Sequence, residues 1–278
     1  MDGRIRVYVW VMGEAPPEIV DLAPEYEDSY LVCLEDWSDE MEEAGDLKAR
    51  WYRTMRDRGL RVKLAIGDDD RPIGMIQYLP IEQSMALGSD LYMIMCVWVH
   101  GQKQGVGQQQ GRGVGKALLA AAERDTRELG AKGIAAWGLV FPIWMKSGWF
   151  KKHGYLRADR IGMRVLMWKP FTEDAVAPRW IEQGSKPARV EGKVAVTAFV
   201  NGWCPSCNLV YERAKRAATE LGDDVVFESI DTSEQSAMIR CGQSDCVFLD
   251  GKTLQKGPPP SYDRIHKMMA KRVAKLHR

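Results

Sequence analysis

The sequence predicts an α/β protein with two domains, a larger one followed by a smaller one. The chain has 278 residues, about twice the length of a common domain. Strand-like apolar segments alternate with helical segments along most of it. The alternation stops between residues 169 and 191, where prolines and glycines replace the periodic pattern, and then resumes. We therefore expect a first domain at residues 1–170, a linker at 171–191 and a second domain at 192–278.

The first domain is predicted to begin with a helix that ends at a glycine suited to a C-cap, followed by two strands joined by a polar turn. The apolar run LYMIMCVWV comes next and is typical of a central strand buried on both faces. After a glycine-rich loop we expect a second helix, a strand, a short helix and a last strand. In chain order these elements span residues 48–59, 61–66, 73–79, 91–99, 115–130, 134–140, 145–154 and 160–168.

The second domain is predicted to have the order strand, helix, strand, short helix, hairpin and helix. Its hairpin turns on Asp250-Gly251, a pair typical of tight β-turns. Its last helix is amphipathic, with an apolar face for packing and a basic, solvated face. The strands span residues 194–200, 225–230 and the hairpin 247–254, and the helices end near 221, begin at 233 and cover 261–276.

Composition and charge narrow the class of protein. With 45% hydrophobic and 28% charged residues the chain can fill a core, and no apolar run is long enough to cross a membrane. The N-terminus has no signal-peptide pattern, so we expect a cytoplasmic protein without a membrane partner. A net charge of +1 argues against a nucleic-acid partner, although residues 1–46 alone carry −12. That acidic segment is either a solvated face or a surface for a cationic substrate or basic partner.

A glycine-rich loop between the central strand and the following helix is the first chemical motif. Its residues can present several backbone N–H groups at a helix N-terminus, where a pyrophosphate binds well. The spacing fits neither the GxxxxGK[ST] loop nor the dinucleotide pattern GxGxxG. The candidate binding residues are Gln110, Gly111, Arg112, Gly113, Val114, Gly115 and Lys116.

This loop follows the pattern Q/R-x-x-G-x-G/A and, with GKALL after it, resembles the acetyl-CoA-binding segment of the GNAT superfamily of N-acetyltransferases. The resemblance implies a GNAT-type mixed sheet with flanking helices, acetyl-CoA as cofactor and a small-molecule amine as acceptor. It also implies that main-chain groups of the preceding strand hold the pantetheine arm and polarise the thioester, at Cys96, Val97, Trp98 and Val99. The segment 102–107 fits the same pattern, but only the second copy begins a helix, and we favour it.

The resemblance also raises the question of the catalytic acid and base. Many GNAT members have a tyrosine acid in a motif similar to WFKKHGY here, but Phe150 takes its position. Glu82 in LPIEQ is the first candidate for the base, and a solvated surface carboxylate is the alternative. His100, at the end of the central strand, is the second candidate, with a structural histidine as the alternative.

Four cysteines in the second domain form the other motif. Cys204 and Cys207 lie in CPSC, after a strand and at the start of a helix, which resembles the redox site of thioredoxin-like proteins. The proline usual before the third strand is absent at Asp245, so we expect Cys241 and Cys246 near the pair. Dithiol redox chemistry, a site for a soft metal or metalloid, and a structural remnant all remain open.

Two functions follow. The first is an acetyl-CoA-dependent N-acetyltransferase for a small amine, which could carry a thiol or a bound metalloid, fused to a smaller thioredoxin-like α/β domain that recruits or processes the substrate. The second is a thiol-based metal-binding or redox protein that uses a non-catalytic GNAT domain as scaffold or sensor. The sequence leaves the acceptor and the oligomeric state open.

Overall fold

The computed structural model of the chain describes residues 17–141, 144–255 and 257–277. Residues 1–16, which hold the beginning of the acidic segment, lie outside the described residues. In the part of the chain that is described, no helix is both long enough and apolar enough to cross a lipid bilayer.

A seven-stranded mixed sheet forms the centre of the first part of the chain, in the order β1-β2-β3-β5-β6-β8-β7. Its strands are β1 (Glu18–Asp21), β2 (Arg61–Ile66), β3 (Pro72–Pro80), β5 (Leu91–Val99), β6 (Gly133–Leu139), β7 (Leu156–Ile161) and β8 (Arg164–Pro170). Only β5 and β6 are parallel neighbours, and the other pairs are antiparallel. A small separate pair is formed by β4 (Ala86–Leu87) and β9 (Arg179–Trp180).

Five helices accompany this sheet: α1 (Glu27–Leu31), α2 (Asp39–Glu42), α3 (Leu47–Arg56), α4 (Val114–Glu128) and α5 (Ser147–Lys152). The long helix α4 places its apolar stripe on the central strands, as its 3.6-residue periodicity predicts. Gly74 of β3 permits this close approach, because a Cβ atom there would lie 2.9 Å from the Val114 side chain and 3.1 Å from that of Leu118. The glycine loop that precedes α4 is thereby held at one end of β5.

Two parts of the sheet differ from the sequence prediction. The single strand expected at residues 160–168 is a hairpin, β7 and β8, that turns at Gly162, whose φ of 57° suits a glycine. Residues 17–46, for which no element was predicted, form β1, α1 and α2. These elements are short, so their sequence periodicity covers too few residues to identify them.

A network of charged and phenolic groups joins α4 to the sheet at Asp125. This carboxylate accepts hydrogen bonds from Arg61 at 2.7 Å, Lys63 at 3.0 Å and Tyr78 at 2.7 Å. Burial opposes ionisation, but hydrogen bonds from Arg61, Tyr78 and Lys63 outweigh it and lower the pKa of Asp125 to about 2. The network therefore stabilises the ionised carboxylate in the folded state.

We expect Asp125→Asn to lower the free energy of unfolding at neutral pH by roughly 1–3 kcal/mol. Because the pKa of Asp125 is lower in the folded state than its ordinary value, its stabilisation is complete above that value and is lost as the pH falls from about 4 to about 2. Thermal unfolding of both proteins across this range should show the difference shrinking. Asp21→Asn, at an exposed partner of Lys63, is the control and should change little. A difference that is independent of pH would contradict the expectation.

The second part of the chain has a four-stranded sheet in the order β11-β10-β12-β13. In chain order its elements are β10 (Val194–Val200), α6 (Pro205–Leu221), β11 (Val225–Asp231), α7 (Gln235–Cys241), β12 (Cys246–Leu249), β13 (Lys252–Thr253) and α8 (Tyr262–Leu276). Strands β10 and β11 are parallel, whereas β12 is antiparallel to both β10 and β13. Asp250 and Gly251 form the predicted turn, with φ values of 50° and 71°. The element order agrees with the sequence prediction.

The two sheets are joined by polar and aromatic contacts. Arg213 of α6 is buried and binds Glu40 at 2.7 Å and Glu43 at 2.9 Å, both in the acidic segment. The side-chain amide of Gln235 donates to three backbone carbonyls of residues 81–86. Trp203 belongs to the core cluster of the first part. Part of the acidic segment therefore binds a basic residue of the same chain.

Candidate active site

The glycine loop ends at a helix start that is open to a ligand. Gly113 is the N-cap of α4 and has a left-handed φ of 82°, so Val114 is the first residue of the helix. A Cβ atom on Gly111 or Gly113 would meet no described atom within 4 Å. The first amides of α4 thus lie beside open space. A pyrophosphate would fit there, at the positive end of the helix dipole. Arg112 and Lys116 are exposed on the same loop and first turn.

Gly105 and Gly107, the glycines of the first copy of the motif, lie in a closed loop after β5. The amide of Gln109 donates to the carbonyl of His100 at 2.9 Å and closes this loop. Gly105 lies against Trp37, since a Cβ atom there would come within 2.5 Å of the indole. Gly107 uses its carbonyl to accept a hydrogen bond from His100 at 2.7 Å. Gly105 and Gly107 therefore contribute to the packing of this loop. We keep the second copy, at the start of α4, as the candidate for phosphate binding.

His100 is a structural histidine. Its ring is fully buried, and Nε2 accepts a hydrogen bond from the Trp37 indole at 3.1 Å. Nδ1 must then carry the proton that it donates to the carbonyl of Gly107. Both ring nitrogens are engaged in hydrogen bonds within the described structure, which favours the structural alternative over a catalytic base.

A wedge opens between β5 and β6 next to the glycine loop. The parallel pairing of these strands ends at Ile94 and Ala136, after which they separate. Met95 is skipped in the pairing with β3 and forms a β-bulge at the start of the wedge. The indole of Trp137 on β6 spans the opening here and donates to the carbonyl of Met95 at 2.7 Å. Beyond this point β5 has no strand partner on its β6 side in the described structure.

The four residues predicted to hold the pantetheine arm form the remainder of β5. Cys96 is buried, and Val97, Trp98 and Val99 are partly buried. The side-chain amide of Gln110 donates to the carbonyl of Val99 at 3.2 Å and so connects the glycine loop to the strand end. An extended ligand could lie along this edge of β5 and reach the α4 N-terminus at the same time.

The other predicted acid and base positions are not at this wedge. Glu82 follows β3 in an exposed turn, and the nearby Pro80 pairs with Tyr92, four residues before Cys96. At about 3.3 Å per residue this is roughly 13 Å along the strand. Phe150 is buried in the core with its ring 5.3 Å from that of Tyr155. The structure does not bring Glu82 to the wedge, and Phe150 offers no acidic proton.

The CPSC motif forms the start of α6, with Cys204 as N-cap. A hydrogen bond from the Cys207 thiol lowers the pKa of the Cys204 thiol, against the effect of burial. The same hydrogen bond, together with burial, raises the pKa of Cys207. Asp245 interacts with both thiols, and burial raises its pKa. Cys204 is therefore the thiol of this pair that ionises more easily.

The predicted four-cysteine metal site is not formed. Among the described residues no group of three or more His, Cys, Asp or Glu side chains is placed to hold a metal ion. Cys246 lies at the start of β12, its thiol donates to Gln243 at 3.4 Å, and burial raises its pKa to about 12. Cys241 ends α7. Cys241 and Cys246 therefore do not complete a metal-binding group with the CPSC pair in the described part of the chain.

Three residues beside the CPSC pair were not identified from the sequence. In the sequence Cys33 is far from the other cysteines, Lys48 lies in a predicted helix, and Asp245 carries no motif of its own. In the structure Lys48 is buried and its ammonium lies 3.4 Å from the Cys33 sulfur. The sequence signal for such a site is Lys48 itself, because a lysine on the same face of α3 as the buried residues Trp51 and Met55 is unusual.

A protein-family model matches part of the chain. Residues 19–141 match the model described as the Acetyltransferase (GNAT) family. This segment includes β1 to β6, the glycine loop and α4. A search of curated proteins finds no match to this chain.

Solved structures of acetyltransferases are similar to a little over half of the chain. An acetyltransferase of the GNAT family from Staphylococcus aureus Mu50 is 13% identical, with a TM-score of 0.42, and covers 56% of this chain and 99% of its own. The PaiA N-acetyltransferase from Thermoplasma acidophilum, in complex with coenzyme A, is 18% identical, with a TM-score of 0.42. The match covers 56% of this chain and 100% of that structure. A GNAT family acetyltransferase from Brucella melitensis, in complex with acetyl-CoA, is 16% identical, with a TM-score of 0.41. The match covers 59% of this chain and 94% of that structure.

The family match and the site geometry concern the same residues. The matched segment contains the parallel pair β5 and β6, the bulge at Met95 and the helix that begins after Gly113. Residues 19–141 are therefore similar to the Acetyltransferase (GNAT) family, and the candidate site lies within them.

Proposed function

We propose that this chain is an acetyl-CoA-dependent N-acetyltransferase for a small amine, and that its second domain is thioredoxin-like and borders the acceptor site. The observation that carries the proposal is the continuous surface from the open α4 N-terminus to the unpaired edge of β5 within the GNAT domain. Acetyl-CoA supplies the activated acetyl group when it is bound. The α4 amides would hold its pyrophosphate, and the main chain of Cys96–Val99 would align its pantetheine arm.

Acetyl transfer also requires a group that polarises the thioester and one that accepts the amine proton. A β5 amide beyond Met95 would donate to the carbonyl oxygen as its negative charge develops. For the base we propose Glu35, a half-buried carboxylate whose pKa is raised by burial. The residues on either side of it support this assignment: Cys33 interacts with Cys96, and Trp37 binds His100 directly after β5. The segment between Cys33 and Trp37 therefore follows the last part of β5.

The thioredoxin-like assignment is supported by topology and by the CPSC motif. The order β-α-β-α-β-β-α, the parallel β10 and β11 and the antiparallel β12 and β13 agree with what that resemblance requires. Trp203 lies with its ring 6.3 Å from that of Trp137, which crosses the wedge. The second domain would thus form one wall of the acceptor site and could recruit a substrate that carries both a thiol and an amine.

The function is tested by coenzyme A release from acetyl-CoA with a panel of amines, including thiol-bearing amines, and by mass analysis of the acetylated product. We expect acceptor-dependent turnover together with acetyl-CoA binding in calorimetry. Glu82→Gln is expected to retain the wild-type rate, because Glu82 is exposed and away from the wedge. Binding without transfer to any amine would favour a GNAT domain that acts as a scaffold or sensor.

Replacing the proposed base should change the pH profile as well as the rate. We expect Glu35→Gln to lower kcat/KM by about 10²-fold. Because the base works as the carboxylate and its pKa is raised, wild-type kcat/KM should rise with pH through a value above the ordinary glutamate range, and this limb should be absent in the variant. Asp36→Asn is the matched control, since Asp36 is adjacent but forms only a long 3.9 Å pair with Arg71. An unchanged rate in Glu35→Gln would remove Glu35 from the mechanism.

A further inference from the structure

Three thiols lie within electrostatic range of one buried lysine where the two parts of the chain meet, and one of them, Cys33, is in contact with it. Cys33 and Cys96 come from the first part, Cys204 comes from the CPSC motif, and Lys48 lies on α3. Every pair of these four residues is close enough to interact electrostatically. We call these four residues the thiol cluster. Cys96, Cys204 and Lys48 are all less than 5% exposed, so the cluster is shielded from bulk water.

Lys48 gives the thiol cluster a positive charge. Its ammonium donates to the carbonyl of Tyr30 and to the Cys33 sulfur, and lies 3.9 Å from the centre of the Tyr30 ring. Among the described residues Lys48 forms no ion pair with a carboxylate. A buried ammonium whose neighbours are thiols stabilises a thiolate.

The sulfur of Cys204 is the best placed to carry that charge. It lies at the N-terminus of the 17-residue helix α6, where the helix dipole favours an anion. The Cys207 thiol donates to it, and both this hydrogen bond and Lys48 lower its pKa. Cys33 and Cys96 lack these helix contacts, and burial raises their pKa values. The cluster thus holds one activated nucleophile.

The wedge of the GNAT domain is next to this nucleophile. Trp203, directly before Cys204, contacts Trp137, whose indole is bonded to the carbonyl of Met95 at the start of the wedge. Cys96 follows Met95 on β5 and belongs to the thiol cluster. Cys96 is also the first residue of the strand segment proposed to hold the pantetheine arm, at its thioester end.

We propose that Cys204 is a catalytic nucleophile that accepts the acetyl group from acetyl-CoA and then passes it to the amine. This inference rests on the proposed function, because it requires acetyl-CoA in the wedge. It assigns to the second domain a role in the reaction itself, in addition to forming a wall of the acceptor site.

The two steps balance in atoms and charge. In the first, the Cys204 thiolate attacks the acetyl carbonyl, a new carbon–sulfur bond forms, and coenzyme A leaves as its thiolate. One thiolate replaces another, so no acid is needed, which agrees with Phe150 at the position of the usual tyrosine. In the second, the neutral amine attacks the S-acetyl carbonyl, the bond to Cys204 breaks to restore the thiolate, and the amine proton goes to the base. Protonation of coenzyme A by water completes the cycle.

The proposal is tested by trapping the S-acetyl group in the full-length protein. Reduced protein is mixed with acetyl-CoA in the absence of amine, and intact mass, coenzyme A release and hydroxylamine sensitivity are measured. We expect release of one equivalent of coenzyme A and a hydroxylamine-sensitive acetyl group that peptide mapping places on Cys204. Cys204→Ser should form no such adduct while it still binds acetyl-CoA in calorimetry. Cys246→Ser, which removes a thiol outside the cluster, should form the adduct as the wild type does.

The outcomes separate this inference from the proposed function. Transfer to an amine without any hydroxylamine-sensitive adduct, and at the wild-type rate in Cys204→Ser, would overturn the nucleophile and leave the acetyltransferase intact. An adduct mapped to Cys33, Cys96 or Cys207 would also overturn it. Failure of acetyl-CoA to bind the wild-type protein would instead refute the proposed function. If Cys204→Ser does not fold, the mapping of the wild-type adduct still decides the question.

Discussion

Gly113→Val should weaken acetyl-CoA binding at least tenfold, or by about 1.4 kcal/mol, in calorimetry. Gly113 is the N-cap of α4, and its hydrogen atoms face the open space beside the first helical amides. A branched side chain there would occupy the position of the pyrophosphate and would also disturb the left-handed φ of 82° from which the helix starts. Both effects reduce the number of amides that can reach the phosphates.

Gly107→Val is the matched control for this substitution. Gly107 has a similar positive φ of 73°, and a Cβ atom there also meets no described atom within 4 Å. Both variants should therefore lose similar amounts of thermal stability, because the backbone strain is alike. Only Gly113→Val should lose affinity. Equal losses of affinity, or a loss confined to Gly107→Val, would show that the first glycine pair binds the phosphates.

Arg213→Met should lower the free energy of unfolding by about 2–3 kcal/mol. The guanidinium is buried, binds two carboxylates of the acidic segment and donates to the carbonyl of Pro260 at 3.0 Å. Methionine fills much of the volume but satisfies none of these acceptors. Chemical denaturation measures the loss. Because Arg213 joins α6 to the first domain, Cys204 should also react faster with a thiol reagent in the variant.

Arg216→Met is the control for the Arg213 variant. Arg216 lies one turn away on the same helix, is half exposed and approaches Glu43 only to 3.9 Å. An exposed pair of this kind contributes less than about 1 kcal/mol. If the two variants had the same free energy of unfolding, the ion pairs of Arg213 with Glu40 and Glu43 would not stabilise the contact between the two parts of the chain.

Local patterns in the sequence were sufficient for most of the fold. The buried central strand, the glycine-started helix and the order of elements in the second domain all follow from periodicity and turn residues within short segments. The choice between the two glycine pairs also depended on local information, since only the second is followed at once by a helix. The sequence pattern predicts one strand where the structure has the hairpin of β7 and β8, which turns at Gly162.

The candidate site could be predicted only in part. The residues of the glycine loop that we propose to bind phosphate are contiguous, so one motif predicts them together. His100 and Glu82 were selected by their places at strand ends, but neither position reveals that Trp37 and Gly107 engage the imidazole or that the carboxylate is exposed. Closeness in sequence groups Cys204 with Cys207, Cys241 and Cys246, whereas in the structure Cys204 also interacts electrostatically with Cys33 and Cys96 of the first part of the chain.

The sequence by itself predicts two kinds of chemistry for this protein: an anion-binding helix start and a thiol pair at another helix start. Each depends on backbone amides within one turn of the motif, so neighbouring residues are enough to specify it. Only the tertiary structure shows that the thiol pair lies against the first sheet, where Trp203 contacts Trp137. This contact depends on how α6 packs against the first part of the chain through Arg213 and Trp203, and contacts between residues so far apart in the chain leave no local pattern.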